Sequence, residues 1–300
     1  MVLEQAFKAR WLEKRPISAI FLGLIYAIIG ILSAKMIFKS STGLTSIGFI
    51  SILLIPSLNR LLADEENVEI RENKFSFKML FKDHRDIFEI YFFMFIGVFL
   101  AYAIFSLVMP EATILKMFGP QLKVAGFTGK AFAGIFNADV MGIMLNNLLV
   151  MVVCLILSLV YGAGSIFFLV WNASVWGAVF GYVAHTSLKE SHPFVAFGIV
   201  MLPVLAHMIT EALAYFTAAV SGGILSKAVM REDIFSEKFH HILSDALMIL
   251  LIGFTLVVIA AIIEVHLYPY SSAILLGVVL LLVLLIGALD PTNVFDKSKA

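Results

Sequence analysis

His207, Glu211 and Tyr215 follow one another at four-residue steps within HMITEALAY. On an α-helix that step returns to almost the same azimuth, so an imidazole, a carboxylate and a phenol share one face. An imidazole beside a carboxylate is a donor set for a divalent metal or a proton relay. With Asp139, Asn147 or Asn172 completing the shell, the implied chemistry is zinc-assisted hydrolysis at an open coordination position. The HExxH signature is missing, however, and only two ligands lie at a diagnostic spacing. An equally direct reading is a mutual His207–Glu211 hydrogen bond that satisfies both groups in a packed bundle. Pro203, one turn earlier, removes a backbone donor and leaves a carbonyl free as a further polar partner.

Three amides join these groups as candidates for one polar cleft. Asn146 and Asn147 are neighbours, about 100° apart on a helix, and face different surroundings. Asn172, within VWNASVW, is expected to bond one of them across the bundle. Ser165 or Ser174 with His207 would have the residue types of a serine hydrolase, but no oxyanion hole is legible. Tyr161 to Ser165 (YGAGS) reads as a tight helical hairpin turn. It lacks the lysine and the Gly-x-Gly-x-x-Gly spacing of a phosphate loop. Gly177 and Gly181 form a GxxxG that permits close helix contact, within the chain or in a homodimer.

The elements that must hold these residues are transmembrane helices. The chain has 300 residues, 61% hydrophobic and 14% charged, with a mean hydropathy of +1.00. Ordinary soluble domains carry about 25% charged residues. Apolar runs fall at 17–38, 44–62, 87–109, 138–160, 165–185, 194–225, 243–264 and 271–289, each near the roughly 20 residues a crossing needs. The expected fold is an all-α, polytopic transmembrane bundle of about eight spans, or seven if the second or sixth is re-entrant. The second run is short and contains Pro56, and the run 194–225 is long enough to be broken at Pro203. The first run is read as a retained helix rather than a removed signal peptide.

Fifteen of the 21 Lys and Arg residues fall on one side of such a topology, which places both termini in the cytoplasm. Segment 63–86 is then a cytoplasmic loop with a short interfacial helix. Segment 110–137, punctuated by glycine and proline, is an interfacial or partly re-entrant outer cap. A single transmembrane domain accounts for 1–300: an N-terminal pair and loop over 1–86, a core over 87–289 and a tail over 290–300. Glu89, Glu264, His185, His192 and His266 sit near span ends, where polar tips reach the interface. His240 and His241 read as solvated or capping residues. Cys154 is the only cysteine, so no intrachain disulfide forms. A formal net charge of zero gives no support to a nucleic-acid partner.

The ordered set of Asn146-Asn147, YGAGS at 161–165, WNASVWG at 171–177, HMITEALAY at 207–215 and SGG at 221–223 resembles the stage II sporulation protein M family. The likeness covers about 87–289. It carries over the pattern Asn146, Asn147, Gly162, Gly164, Asn172, His207, Glu211 and Gly222, and assigns them no reaction. It implies a multi-span membrane protein, which in sporulating bacteria works beside peptidoglycan-degrading, cell-envelope partners. The N-terminal pair of spans stands outside the matched motifs. Two functions follow: a membrane-complex component or conduit for a small solute or ion, built around the polar cleft, or an intramembrane metal-dependent hydrolase using His207 and Glu211.

Overall fold

The computed structural model describes residues 9–38, 42–69, 84–124, 140–187 and 192–267. Among them the chain is helical without strands, and seven helices are long and apolar enough to cross a membrane. The eighth predicted span, 271–289, lies outside the described residues, as do Asn137 and Asp139.

The helices are α1 (Ala9–Lys14), α2 (Ala19–Ile37), α3 (Thr42–Glu69), α4 (Arg85–Val108), α5 (Glu111–Val124), α6 (Val140–Tyr161), α7 (Ile166–Ser187), α8 (Pro193–Met201), α9 (Leu205–Arg231) and α10 (Glu237–Ile262). Pro56 stays within α3. The apolar run 194–225 divides as expected. Helix α8 ends at Met201, a turn carries Pro203, and α9 starts at Leu205. Proline has no N–H to continue the ladder and its ring clashes with the carbonyl four residues back. Helix α10 runs on into a wider π turn, Ile263–Leu267.

Close packing between helices is set by glycines. Gly23 on α2 lies against the Met94 carbonyl of α4, and Gly97 on α4 against the Ile20 carbonyl of α2. Gly177 on α7 sits over Phe99 and Tyr102 of α4, and Gly181 over Ala103 and Ser106. The GxxxG is thus used within the chain. Partner numbers rise together along α4 and α7, so these helices are parallel. The same holds for α6 and α9, where Asn147 meets Glu211 and Ser158 meets Gly222.

Two units therefore follow one itinerary, α4–α5–α6 and α7–α8–α9, each a long helix, a short one and a long one. Both short helices lie on the same side, termed here the cap side. Gln121 of α5 donates to the Gly43 carbonyl at the start of α3 (3.0 Å) and to Ser174 Oγ (3.4 Å), and Phe118 interrupts α5 with non-helical backbone. Gln121 is fully buried, so α5 packs into the bundle. Ala196 of α8 packs on Leu107 and Ala184, at the ends of α4 and α7. The opposite, basic side holds the end of α3, the turn after α6 and the end of α9. There Gly162 adopts φ 67°, a conformation glycine reaches without a Cβ penalty, and the Ala163 N–H donates to Asn59 Oδ1 at 3.1 Å.

Candidate functional site

Helix α6 buries a single stripe: Asn147, Met151, Cys154 and Ser158. The steps of four, three and four residues keep them on one face, which packs on α9. Helix α9 is the most enclosed span, and Glu211 and Tyr215 lie on its buried surface. Asn147 Nδ2 donates to Glu211 Oε1 at 2.6 Å, and Tyr215 Oη donates to Asn147 Oδ1 at 3.0 Å. Asn146 Nδ2 adds a longer bond to the same Oδ1, 3.3 Å. One amide therefore ties a carboxylate and a phenol together, with every hydrogen bond correctly polarised.

Glu264, in the π turn after α10, completes the cluster. Its carboxyl lies within electrostatic reach of that of Glu211. Helices α9 and α10 are antiparallel, Thr217 meeting Gly253 while Glu211 meets Glu264, so the end of α10 returns to the level of Glu211. The wider π turn re-aims the side chain at this point; such turns concentrate at functional sites. Glu211 is buried and Glu264 half-buried, so the pair runs from the interior toward the cap side. At 1.5 Å per residue Asn147 and Glu211 lie roughly 10 Å along their helices from the cap side.

Of the predicted cleft residues, the structure gathers Asn146, Asn147, Glu211 and Tyr215, and it adds Glu264. Asn172 takes a different role: its Nδ2 donates to the Phe168 carbonyl one turn back, 2.8 Å, rather than across the bundle. The mutual His207–Glu211 bond does not form either: the Glu211 carboxyl accepts from Asn147 instead. His207 is buried with Nδ1 unpartnered. Among the described residues no group of three or more His, Cys, Asp or Glu side chains could hold a metal ion. The proposed ligand Asp139 lies outside those residues. Ser174 Oγ donates to the Trp171 carbonyl at 2.7 Å and accepts from Gln121, and has no bond to His207.

The remaining polar residues at span ends stand apart from this cluster. Glu89 pairs with Arg85 at 2.7 Å, His185 Nδ1 meets the Leu107 carbonyl at 3.0 Å, and His192 stacks on Phe194. His240 Nδ1 lies 2.8 Å from the Ser236 carbonyl at the start of α10.

A bundle of apolar spans around a small cluster of carboxyl and amide groups defines a multi-pass membrane protein. The family model described as Stage II sporulation protein M matches residues 18–269. The chain belongs to that family. The match starts at residue 18 and so takes in the N-terminal pair of spans, which the motifs alone had left outside. Helix α2 packs along α4 through Gly23 and Gly97, which makes the pair part of the same bundle. Comparison with curated proteins and with solved structures gives no match.

Proposed function

We propose that this family member passes a small ion across the membrane, with the Glu211 and Glu264 carboxyls as the site the ion occupies in transit. The observation that carries the reading is the approach of two carboxyls, one buried and one half-buried, within an apolar bundle. Two negative charges so close and away from bulk water repel each other strongly, and either a proton or a cation between them relieves the repulsion. A site with two such states loads and unloads a charge without rebuilding the bundle. Asn147 and Tyr215 hold Glu211 in place, which favours a defined binding geometry.

The architecture supports the same reading. Carriers are commonly built from repeated units with interrupted helices, and their sites lie where the units meet. Here two long-short-long units run parallel, and the Asn147–Glu211 bond joins α6 of one to α9 of the other. The charge bias of the sequence favours the basic side as cytoplasmic, so the carboxyl pair lies nearer the outer face.

The test is flux in liposomes containing the purified protein and a trapped pH dye. Imposed Na⁺, K⁺ or proton gradients should give transport above protein-free vesicles, reduced at least tenfold by Glu211→Gln. No flux under any gradient, or full flux in that variant, sinks the reading.

A further inference from the structure

Resting on the ion-passage reading, we infer that the conducted ion is a proton, and that it crosses the basic half of the bundle along the α6/α9 seam through Tyr215, Tyr91, Ser158 and Ser221. The observation is independent of the carboxyl pair. Most hydroxyls on the spans bond back to their own helix: Ser51 to the Ile47 carbonyl (2.7 Å), Thr210 to Ala206 (2.8 Å), Thr217 to Ala214 (2.7 Å) and Thr255 to Leu251 (2.9 Å). Tyr91, Ser158 and Ser221 do not, nor do Ser57, Ser106 and Ser165 elsewhere in the bundle, but the first three flank the α6/α9 contact. Each is buried with its oxygen unpartnered. Leaving a buried hydroxyl without a partner is unfavourable, and a bridging water removes that cost.

These orphaned groups follow one another along the bundle. The Cys154 thiol is within electrostatic reach of both the Tyr91 and Tyr215 hydroxyls, and so links the carboxyl cluster to α4. Ser158 follows Cys154 by one turn on the only face α6 buries, and it lies beside Gly222, next to Ser221. One further turn reaches Gly162, where Lys227 Nζ and Asn59 Oδ1 mark the basic side. The seam therefore carries protic groups from Glu211 to the far surface. Hydroxyls and single waters relay protons, whereas a hydrated cation needs an open aqueous passage. Each hop breaks one O–H or S–H bond as another forms, at a hydroxyl, the Cys154 thiol or a bridging water, the Asn147 amide passes no proton, and nothing is oxidised or reduced. Asn147 is a positioning residue, holding Glu211 and Tyr215 on either side of one amide.

Two measurements on the full chain in liposomes test the path. Cys154 is the only cysteine, so Ag⁺, a thiol-reactive ion small enough to follow water, should block proton flux in the native protein and spare Cys154→Ala. Ser158→Val with Ser221→Val should cut proton flux at least tenfold while carbodiimide still labels Glu211, which shows an intact site. Insensitivity of the native flux to Ag⁺, or native flux in the double variant, overturns the path. Loss of flux in Glu211→Gln with either of those results removes the path alone. Absence of proton and cation flux in the native protein removes the ion-passage reading itself.

Discussion

At the scale of single residues, Asn147 is the group on which the site depends, because its amide answers two buried partners at once. Asn147→Leu fills similar volume and leaves both Glu211 and Tyr215 short of a partner. Each orphaned group costs about 1–3 kcal/mol, so thermal unfolding in detergent should shift down clearly. Tyr215→Phe in that background should recover part of the loss, since it removes one of the orphans, and a double-mutant cycle measures the coupling. Asn172→Ala, which loses only a bond within its own helix, should stay within about 0.5 kcal/mol of the native protein. The shared face of His207, Glu211 and Tyr215 was legible from spacing alone. Which helix that face meets was not, because periodicity fixes azimuth and leaves the neighbour open. Glu264 shows the same limit. It reads as an interfacial residue at a span end, and only the antiparallel return of α10 and its π turn bring it to Glu211.

At the scale of elements, glycine positions decide which helices touch. A side chain at Gly177 would collide with the Phe99 carbonyl and the Tyr102 side chain, and backbone cannot yield as a flexible side chain does. Gly177→Val should therefore destabilise the protein by about 1–3 kcal/mol, the usual range for overpacking. Gly198, within α8, has nothing within 4 Å of an added Cβ. Gly198→Ala should be neutral or stabilising by up to about 1 kcal/mol, through better helix propensity. A pair of thermal melts checks both. The GxxxG and the YGAGS turn were readable as motifs, since small residues and a left-handed glycine have few other uses. The two prolines were harder. Pro203 breaks the chain between α8 and α9, whereas Pro56 is absorbed inside α3. Length separates the cases: 194–225 exceeds one crossing, so a break there costs no span, while 44–62 has no residues to spare.

At the scale of the whole molecule, hydropathy foretold the bundle because a bilayer demands long apolar helices and leaves little else to choose. The repeated itinerary of α4–α5–α6 and α7–α8–α9 escaped the sequence, since the units share path and parallel contact rather than a short period. The orientation of the bundle sets the direction in which an ion would meet the carboxyl pair. Phe235, between α9 and α10 on the basic side, is 90% exposed, and Val124, at the end of α5 on the cap side, is 64% exposed. In a Cys154→Ala background each position can carry the chain's only thiol. Positive charge resists transfer to the outer face, and the excess of Lys and Arg lies on the side of Phe235. A membrane-impermeant maleimide should therefore label Val124→Cys in intact host cells, and label Phe235→Cys only after permeabilisation. The reverse pattern would turn the protein over, put the Glu211–Glu264 pair nearer the cytoplasm, and make the α6/α9 seam an outward rather than an inward half-path.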